Sequence, residues 1–172
     1  MKKIFLILLI FAFFGFVGCT GQDGAPGRDG QDGQNGIISE VFELRNVNFG
    51  NTGNGYQIFQ NLTPNIFASD VILIYRLSGT INNNTPIWQP IPRTLFLQEG
   101  ELDYDFDFSK QDFTIYARAT YALSLTPQYI TNQTFRIVLV PGAFSDRLRA
   151  NVSYNELIAR YNINDSVVRV LN

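Results

Sequence analysis

The stretch LDYDFDF, residues 102–108, alternates apolar and acidic residues without a break. Successive side chains of a β-strand point to opposite faces, so the four apolar residues share one face and the three aspartates share the other. A period of two is typical of a strand that buries one face against a core and leaves the other in water. This stretch therefore predicts a half-buried strand, and it is the starting point for predicting the fold.

The same signal recurs along the rest of the chain. Alternation is found again at 113–121 and 135–139, and Val71–Tyr75 is a continuous apolar run that predicts a central strand buried on both faces. Weaker strand candidates are residues 38–49, 56–60, 86–97 and 166–171. Turn-forming residues separate the runs at 50–55, 82–86 and 98–100.

Strands that alternate with turns, without long helices between them, predict an all-β fold built as an antiparallel β-sandwich, with a jelly roll or a barrel as alternatives. Pro90 and Pro92 cannot donate ladder hydrogen bonds, so the strand near Trp88 is predicted to be an edge strand or an interrupted one.

One short helix is predicted near the C-terminus, over about residues 154–161. Ser153 and Glu156 have the spacing of a capping box, in which a serine and a glutamate satisfy free backbone groups at the start of a helix. The side chains that then share one helical face are Tyr154, Leu157, Ile158 and Tyr161. A helix this short must dock on the sheets to be stable.

Composition excludes several classes of function. The 172 residues include no histidine and one cysteine, which excludes imidazole-based acid–base relays, the usual zinc sites and an internal disulfide. The chain has 15 acidic and 13 basic residues, so no basic excess is present to bind nucleic acid. We expect no cofactor and no enzymatic activity.

The N-terminus has the layout of a lipoprotein leader. Lys2 and Lys3 precede an uncharged apolar run, which predicts a signal peptide over residues 1–18. The run Ile4–Gly18 would cover roughly 22 Å as a helix, short of the ~30 Å hydrocarbon core of a bilayer. The segment Phe16–Cys19 resembles a bacterial lipobox, and this resemblance implies cleavage before Cys19 and acylation of Cys19, with palmitate as a typical added chain.

Glycine recurs at every third position from Gly21 to Gly36, in a collagen-like Gly-X-Y register. Residues 19–36 are therefore predicted to be the lipidated cysteine and a tether, and residues 37–172 a β-rich globular domain. The tether contains a single proline, Pro26, which favours a flexible chain over a triple helix. A stub of triple helix nucleated by a trimeric head remains the alternative.

A lipobox cysteine, a short Gly-X-Y run and a small aromatic-rich β domain together resemble the collagen-like lipoproteins of Gram-negative envelopes. The motif-bearing part covers about residues 1–36, and that group has no assigned activity. The resemblance implies a lipid anchor in the bacterial cell envelope, at the outer membrane. It leaves open whether the domain faces the periplasm or the cell surface.

Asp103, Asp105 and Asp107 are the candidate site residues of the domain. Three carboxylates on one face predict a solvated surface that discourages edge pairing. A calcium site is the alternative, although one straight strand cannot surround an ion with the six to eight oxygens that calcium requires. Asp103 and Asp105 have about the separation of an inverting glycosidase pair. Trp88 is a candidate for stacking on a sugar ring, although a single large aromatic residue is more often part of a core.

The function expected from these features is a non-catalytic binding or structural module that meets a protein or glycan through its loops or an exposed aromatic surface. Two alternatives remain: a trimeric, collagen-stalked jelly-roll head, and a carboxylate-dependent enzyme acting on glycans. The oligomeric state is left open by the sequence.

Overall fold

The computed structural model describes residues 39–53, 55–82, 84–142, 152–166 and 168–171. Ten strands and one α-helix lie in this part of the chain. The strands are β1 (Glu40–Val47), β2 (Gly50–Asn51), β3 (Tyr56–Asn61), β4 (Val71–Ile81), β5 (Thr85–Ile91), β6 (Arg93–Leu97), β7 (Gly100–Phe108), β8 (Asp112–Ala119), β9 (Gln133–Val140) and β10 (Arg169–Leu171). The helix α1 spans Tyr154–Tyr161, and two 3-10 helices, Leu123–Leu125 and Pro127–Tyr129, lie between β8 and β9.

The strands form two five-stranded sheets that pack face to face. Sheet A has the order β10-β1-β9-β4-β5, and sheet B has the order β2-β3-β8-β7-β6. All neighbours pair antiparallel except β1 and β10, which are parallel. The predicted all-β sandwich is therefore confirmed, with one parallel pair that the sequence did not indicate.

The two alternative architectures are not found in the described residues. The sheets do not close into a barrel, because each has two edge strands. Hairpin neighbours stay within one sheet at β4–β5 and at β6–β7–β8, whereas most consecutive strands of a jelly roll alternate between sheets.

The core between the sheets follows the predicted alternation. Leu102 and Tyr104 of β7 are fully buried, as are Phe113 and Ile115 of the adjacent β8. They pack in the same cluster as inward side chains of sheet A from β1, β4 and β9. The alternation weakens toward the end of β7, where Phe108 is 40% exposed and stacks on Phe106 with ring centroids 6.4 Å apart.

The continuous apolar run Val71–Tyr75 forms the start of β4 and is buried on both sides of sheet A, as predicted. Ile72 and Ile74 face the core between the sheets. Tyr75 faces the other way, into a second apolar cluster that includes Val138 of β9. The start of β4 thus has apolar packing on both faces of sheet A, which explains why Val71–Tyr75 has no polar face.

The predicted helix is confirmed over Tyr154–Tyr161, and it covers the outer face of sheet A. Ser153 caps it, because the Ser153 side chain accepts a hydrogen bond from the backbone N–H of Glu156 at 3.3 Å. Asn162 ends it in the left-handed region, at φ 48°. Tyr154 and Leu157 are buried against the sheet, and burial of such a side chain contributes about 1.5–3 kcal/mol.

The proline-containing strand near Trp88 is an edge strand, as predicted. β5 lies at one edge of sheet A, and the chain leaves it at the cis Ile91–Pro92 peptide bond. The following residues form β6 at the edge of sheet B. Residues 86–97, predicted as one weak strand, are thus two strands in different sheets.

Candidate functional site

The two outer faces of the sandwich differ in what covers them. On sheet A, outward side chains of β1, β4 and β9 are buried against Tyr154 and Leu157 of α1. On sheet B, no covering layer is found among the described residues, and Phe59 and Phe96 are 54% and 80% exposed. We call the outer surface of β3, β8, β7 and β6 the open face.

The open face carries an excess of negative charge. Because Leu102 and Tyr104 face the core, the alternate residues of β7 point outward. The charged side chains of β7 and β8 at the centre of this surface are Glu101, Asp103, Asp105, Asp107 and Arg118. Four carboxylates against one guanidinium make this part of the surface acidic.

The three aspartates for which calcium was the alternative interpretation do share this surface, but each carboxylate has its own partner. Asp103 accepts a hydrogen bond from the hydroxyl of Thr94 on β6. Asp105 accepts one from the backbone N–H of Phe106 at 2.8 Å. Within the described ranges, no group of three acidic or thiol side chains is close enough to hold a metal ion. The structure therefore gives the calcium interpretation no convergent set of ligands.

Asp107 accepts a hydrogen bond from the hydroxyl of Tyr116 on β8 at 2.9 Å. This bond is the largest cause of a raised pKa at Tyr116, because the neutral phenol donates to a carboxylate that would repel a phenolate. The guanidinium carbon of Arg118 lies 5.0 Å from the centre of the Tyr116 ring. These contacts hold the centre of the open face in a fixed arrangement.

Asp103 and Asp105, the candidate glycosidase pair, border an open depression of about 300 Å³. Arg93 and Arg118 border the same depression. Two guanidiniums and two carboxylates therefore line the same depression. A glycosidase pair works in a cleft that encloses the sugar, and this depression is open to solvent.

Trp88, the candidate for stacking on a sugar, is half-buried in the covered layer over sheet A. The guanidinium carbon of Arg136 lies 4.3 Å from the centre of its ring. The ring of Tyr154 lies on it as well, with centroids 6.0 Å apart. These contacts favour the core interpretation of Trp88. The exposed aromatic side chains of the open face are instead Phe59 and Phe96, which the sequence analysis did not single out.

A second feature missed by sequence reasoning is a polar centre under α1. Glu43 on β1 is buried and receives hydrogen bonds from Arg136 of β9. Arg136 also donates to the hydroxyl of Tyr154, which in turn donates to Asp165. The sequence signal is weak: Arg136 is the one charged residue of β9, but β1 has Glu40 and Arg45 as well as Glu43. This centre attaches the C-terminal segment to sheet A.

A third missed feature is a buried guanidinium at one end of the core. Arg76 of β4 is 8% exposed, and its Nε donates to the side-chain oxygen of Gln133 at 2.8 Å. Its guanidinium carbon lies 4.9 Å from the centre of the Tyr104 ring and 5.6 Å from that of Tyr129. The aromatic faces stabilise a cation that has no carboxylate partner among the described ion pairs.

The larger cavity, about 750 Å³, lies between β1, β10 and the end of α1. Its apolar lining includes Val41, Phe42 and Ile163. The guanidinium carbon of Arg169 lies 4.5 Å from the centre of the Phe42 ring, so a side chain of the protein already contacts this ring.

The predicted signal peptide, Cys19 and the Gly-X-Y tether lie outside the described residues. Within the described ranges no helix is long and apolar enough to cross a bilayer. No family model, curated protein or solved structure matches the chain.

Proposed function

We propose that this protein is a lipid-anchored lipoprotein of a bacterial envelope whose β-sandwich is a non-catalytic binding module. The anchor is Cys19 and the tether is the Gly-X-Y segment before residue 37. The domain binds a partner on the open face, at the outer membrane. The resemblance to collagen-like envelope lipoproteins supports the anchor and its location, and the binding function is argued from the open face.

The observation that carries the binding part is the difference between the two outer sheet faces. On sheet A, α1 packs over the outward side chains of β1, β4 and β9, and Tyr154 and Leu157 are buried there. The open face, in contrast, combines exposed aromatic rings with ordered charged side chains. Phe96 lies on β6 beside Glu101, and Phe59 lies on β3 beside Thr114, so an exposed aromatic ring borders the acidic centre of this face on each side.

The anchor is tested by labelling cells with radioactive palmitate in a Gram-negative host. The chain should take up label, and Cys19→Ala should abolish it while the protein is still produced. Label that persists in Cys19→Ala would overturn the anchor. Protein that carries no label in either form would do the same.

The binding face is tested in the same cells by photo-crosslinking. A photoreactive residue at Asp105, in the centre of the open face, should give a discrete crosslinked product. The matched control is Arg160, which is exposed on α1 over the opposite sheet and should give none. Equal products from both positions, or none from Asp105, would overturn the open face as the binding surface and leave the anchor unaffected.

A further inference from the structure

The edge of the open face formed by β6 is less protected than the other sheet edges of the described residues. β2 has two residues and β10 has three, which is too short to pair well with another strand. β5 is longer but contains Pro86 and Pro90, which lack a backbone N–H. β6 has five residues, Arg93–Leu97, and no proline.

The backbone groups of β6 that face this edge can be assigned from its neighbour. Phe96 is the register partner of Glu101 on β7. Glu101 uses both of its backbone groups toward β8, because its N–H donates to the Thr120 hydroxyl and its carbonyl accepts from the Thr120 N–H, both at 3.0 Å. The N–H and carbonyl of Phe96 therefore point away from β7, and those of Thr94, two residues earlier, do the same.

The side chains of β6 do not block this edge. Phe96 is 80% exposed on the open face, and Leu95 and Leu97 are half-buried on the side of the core. Natural proteins commonly protect an edge strand with charged side chains, prolines or a covering segment. β6 has only Arg93, at its start, as a charged residue.

We propose that β6 binds an extended basic peptide segment of a partner protein by strand addition. This inference rests on the proposed binding function of the open face and names its ligand. The partner strand would donate to and accept from the outward backbone groups of Thr94 and Phe96. Its apolar side chains would pack beside Leu95 and Leu97, and its basic side chains would lie on the open face.

Charge complementarity favours a basic partner, because the four carboxylates of β7 outnumber the two guanidiniums, Arg93 and Arg118, that lie beside Asp103. A strand added to β6 lies about 4.8 Å beyond it and so about 10 Å from β7. Thr94 is a small residue, so a long lysine or arginine side chain of the added strand can pass over it toward Asp103 and Glu101. An acidic or neutral strand would make the same backbone bonds without this attraction.

A second copy of the chain is the less favourable occupant. Pairing β6 with β6 of another copy would place two acidic β7 strands on one continuous surface, about three strand spacings or 14 Å apart. Like charges at that distance repel weakly at physiological salt and more strongly at low salt.

The test measures binding of a fluorescent heptapeptide of alternating lysine and valine to the full chain in a non-ionic detergent. The wild-type chain should bind it, and the peptide with glutamate in place of lysine should not bind. Peptide binding should also slow hydrogen exchange of the Thr94 and Phe96 amides, a readout that needs no variant.

Two substitutions at one position separate backbone pairing from contact with the ring. Phe96→Pro removes an outward N–H at an edge, where proline is tolerated, and should weaken binding by at least about tenfold. Phe96→Thr keeps that N–H and should weaken binding by less than about threefold. The double variant Glu101→Gln, Asp103→Asn should weaken binding at low salt and flatten its dependence on salt.

Strand addition would be overturned by any of three results: the lysine–valine peptide fails to bind, it binds Phe96→Pro as tightly as the wild type, or it does not slow hydrogen exchange of the Thr94 and Phe96 amides. It would also be overturned by dimers of the wild-type chain, seen by light scattering, that Phe96→Pro dissociates. None of these results depends on the palmitate label or on crosslinking at Asp105. A crosslink at Asp105 without peptide binding therefore overturns the strand-addition mode alone.

Discussion

Glu43 and Arg136 are register partners on the neighbouring strands β1 and β9, and two guanidinium nitrogens of Arg136 donate to the same carboxylate oxygen of Glu43. Their side chains are only 5% and 12% exposed. Both charges have been removed from water, so each one needs the other: without its partner, either charge would be buried without compensation and would destabilise the fold.

Arg136→Met should lower the free energy of unfolding by about 3 kcal/mol, because it leaves the Glu43 carboxylate buried without its main partner. This value is the lower end of the range of about 3–5 kcal/mol for breaking a buried ion pair, because Arg45 still donates to the other oxygen of Glu43 at 2.6 Å. Urea denaturation measures the loss. The control is Arg45→Met, which should cost less than about 1 kcal/mol because Arg45 is 52% exposed. Similar losses for the two variants would contradict the assignment of Arg136 as the main partner.

Gly142→Ala should destabilise the fold by about 1–3 kcal/mol, because a Cβ there has no room. It would lie 2.3 Å from the Cβ of Ser69 and 2.7 Å from the Ser69 carbonyl oxygen. The matched control is Gly79→Ala in β4, where a Cβ meets nothing within 4 Å. That variant should be neutral or stabilise by up to about 1 kcal/mol. Thermal unfolding of the pair tests the prediction, and equal melting temperatures would refute it.

Ser153→Ala should lower stability by about 1 kcal/mol, because the backbone N–H of Glu156 loses its acceptor at the start of α1. Ser153→Gly should cost only a few tenths of a kcal/mol, since glycine is also favoured at this position. Chemical denaturation of both variants measures the difference. No measurable loss of stability in Ser153→Ala would contradict the role of the cap hydrogen bond.

The strands that the sequence predicted well are those whose pattern is local. Alternation in residues 102–108 identifies β7, because a strand with one buried face alternates apolar and polar residues. The continuous run Val71–Tyr75 identifies β4, because a strand buried on both faces is apolar throughout. The capping residue Ser153 marks the start of α1 for the same reason, since the bond it makes spans only three residues.

The parts that the sequence did not predict depend on contacts between distant residues. The Glu43–Arg136 pair joins residues 93 positions apart. The parallel pairing of β10 with β1 likewise joins the two ends of the domain. The exposure of Phe59 and Phe96 depends on which sheet face α1 covers, and no local pattern records that. The candidate binding surface was therefore found from the structure, although its aspartates were visible in the sequence.

Alkaline pH should destabilise the fold through Tyr104. Its hydroxyl donates to the Tyr129 carbonyl at 2.7 Å, and burial raises the pKa of Tyr104 to about 12, against about 10 when the chain is unfolded. Between these pH values the unfolded chain releases a proton that the folded chain retains. The contribution of Tyr104 is therefore fully present below about pH 10 and is lost as the pH rises to about 12.

Two pKa units correspond to about 2–3 kcal/mol, so the loss attributable to Tyr104 is large enough to measure. Burial also raises the pKa of Tyr75 and of Tyr154, and both add to the decline. Urea midpoints recorded from pH 9 to pH 11.5 should fall more steeply for the wild type than for Tyr104→Phe, which has no phenol to ionise. If the urea midpoints of the two proteins fall equally steeply with pH, the prediction is wrong, because the Tyr104 hydroxyl then ionises as easily in the folded chain as in the unfolded one.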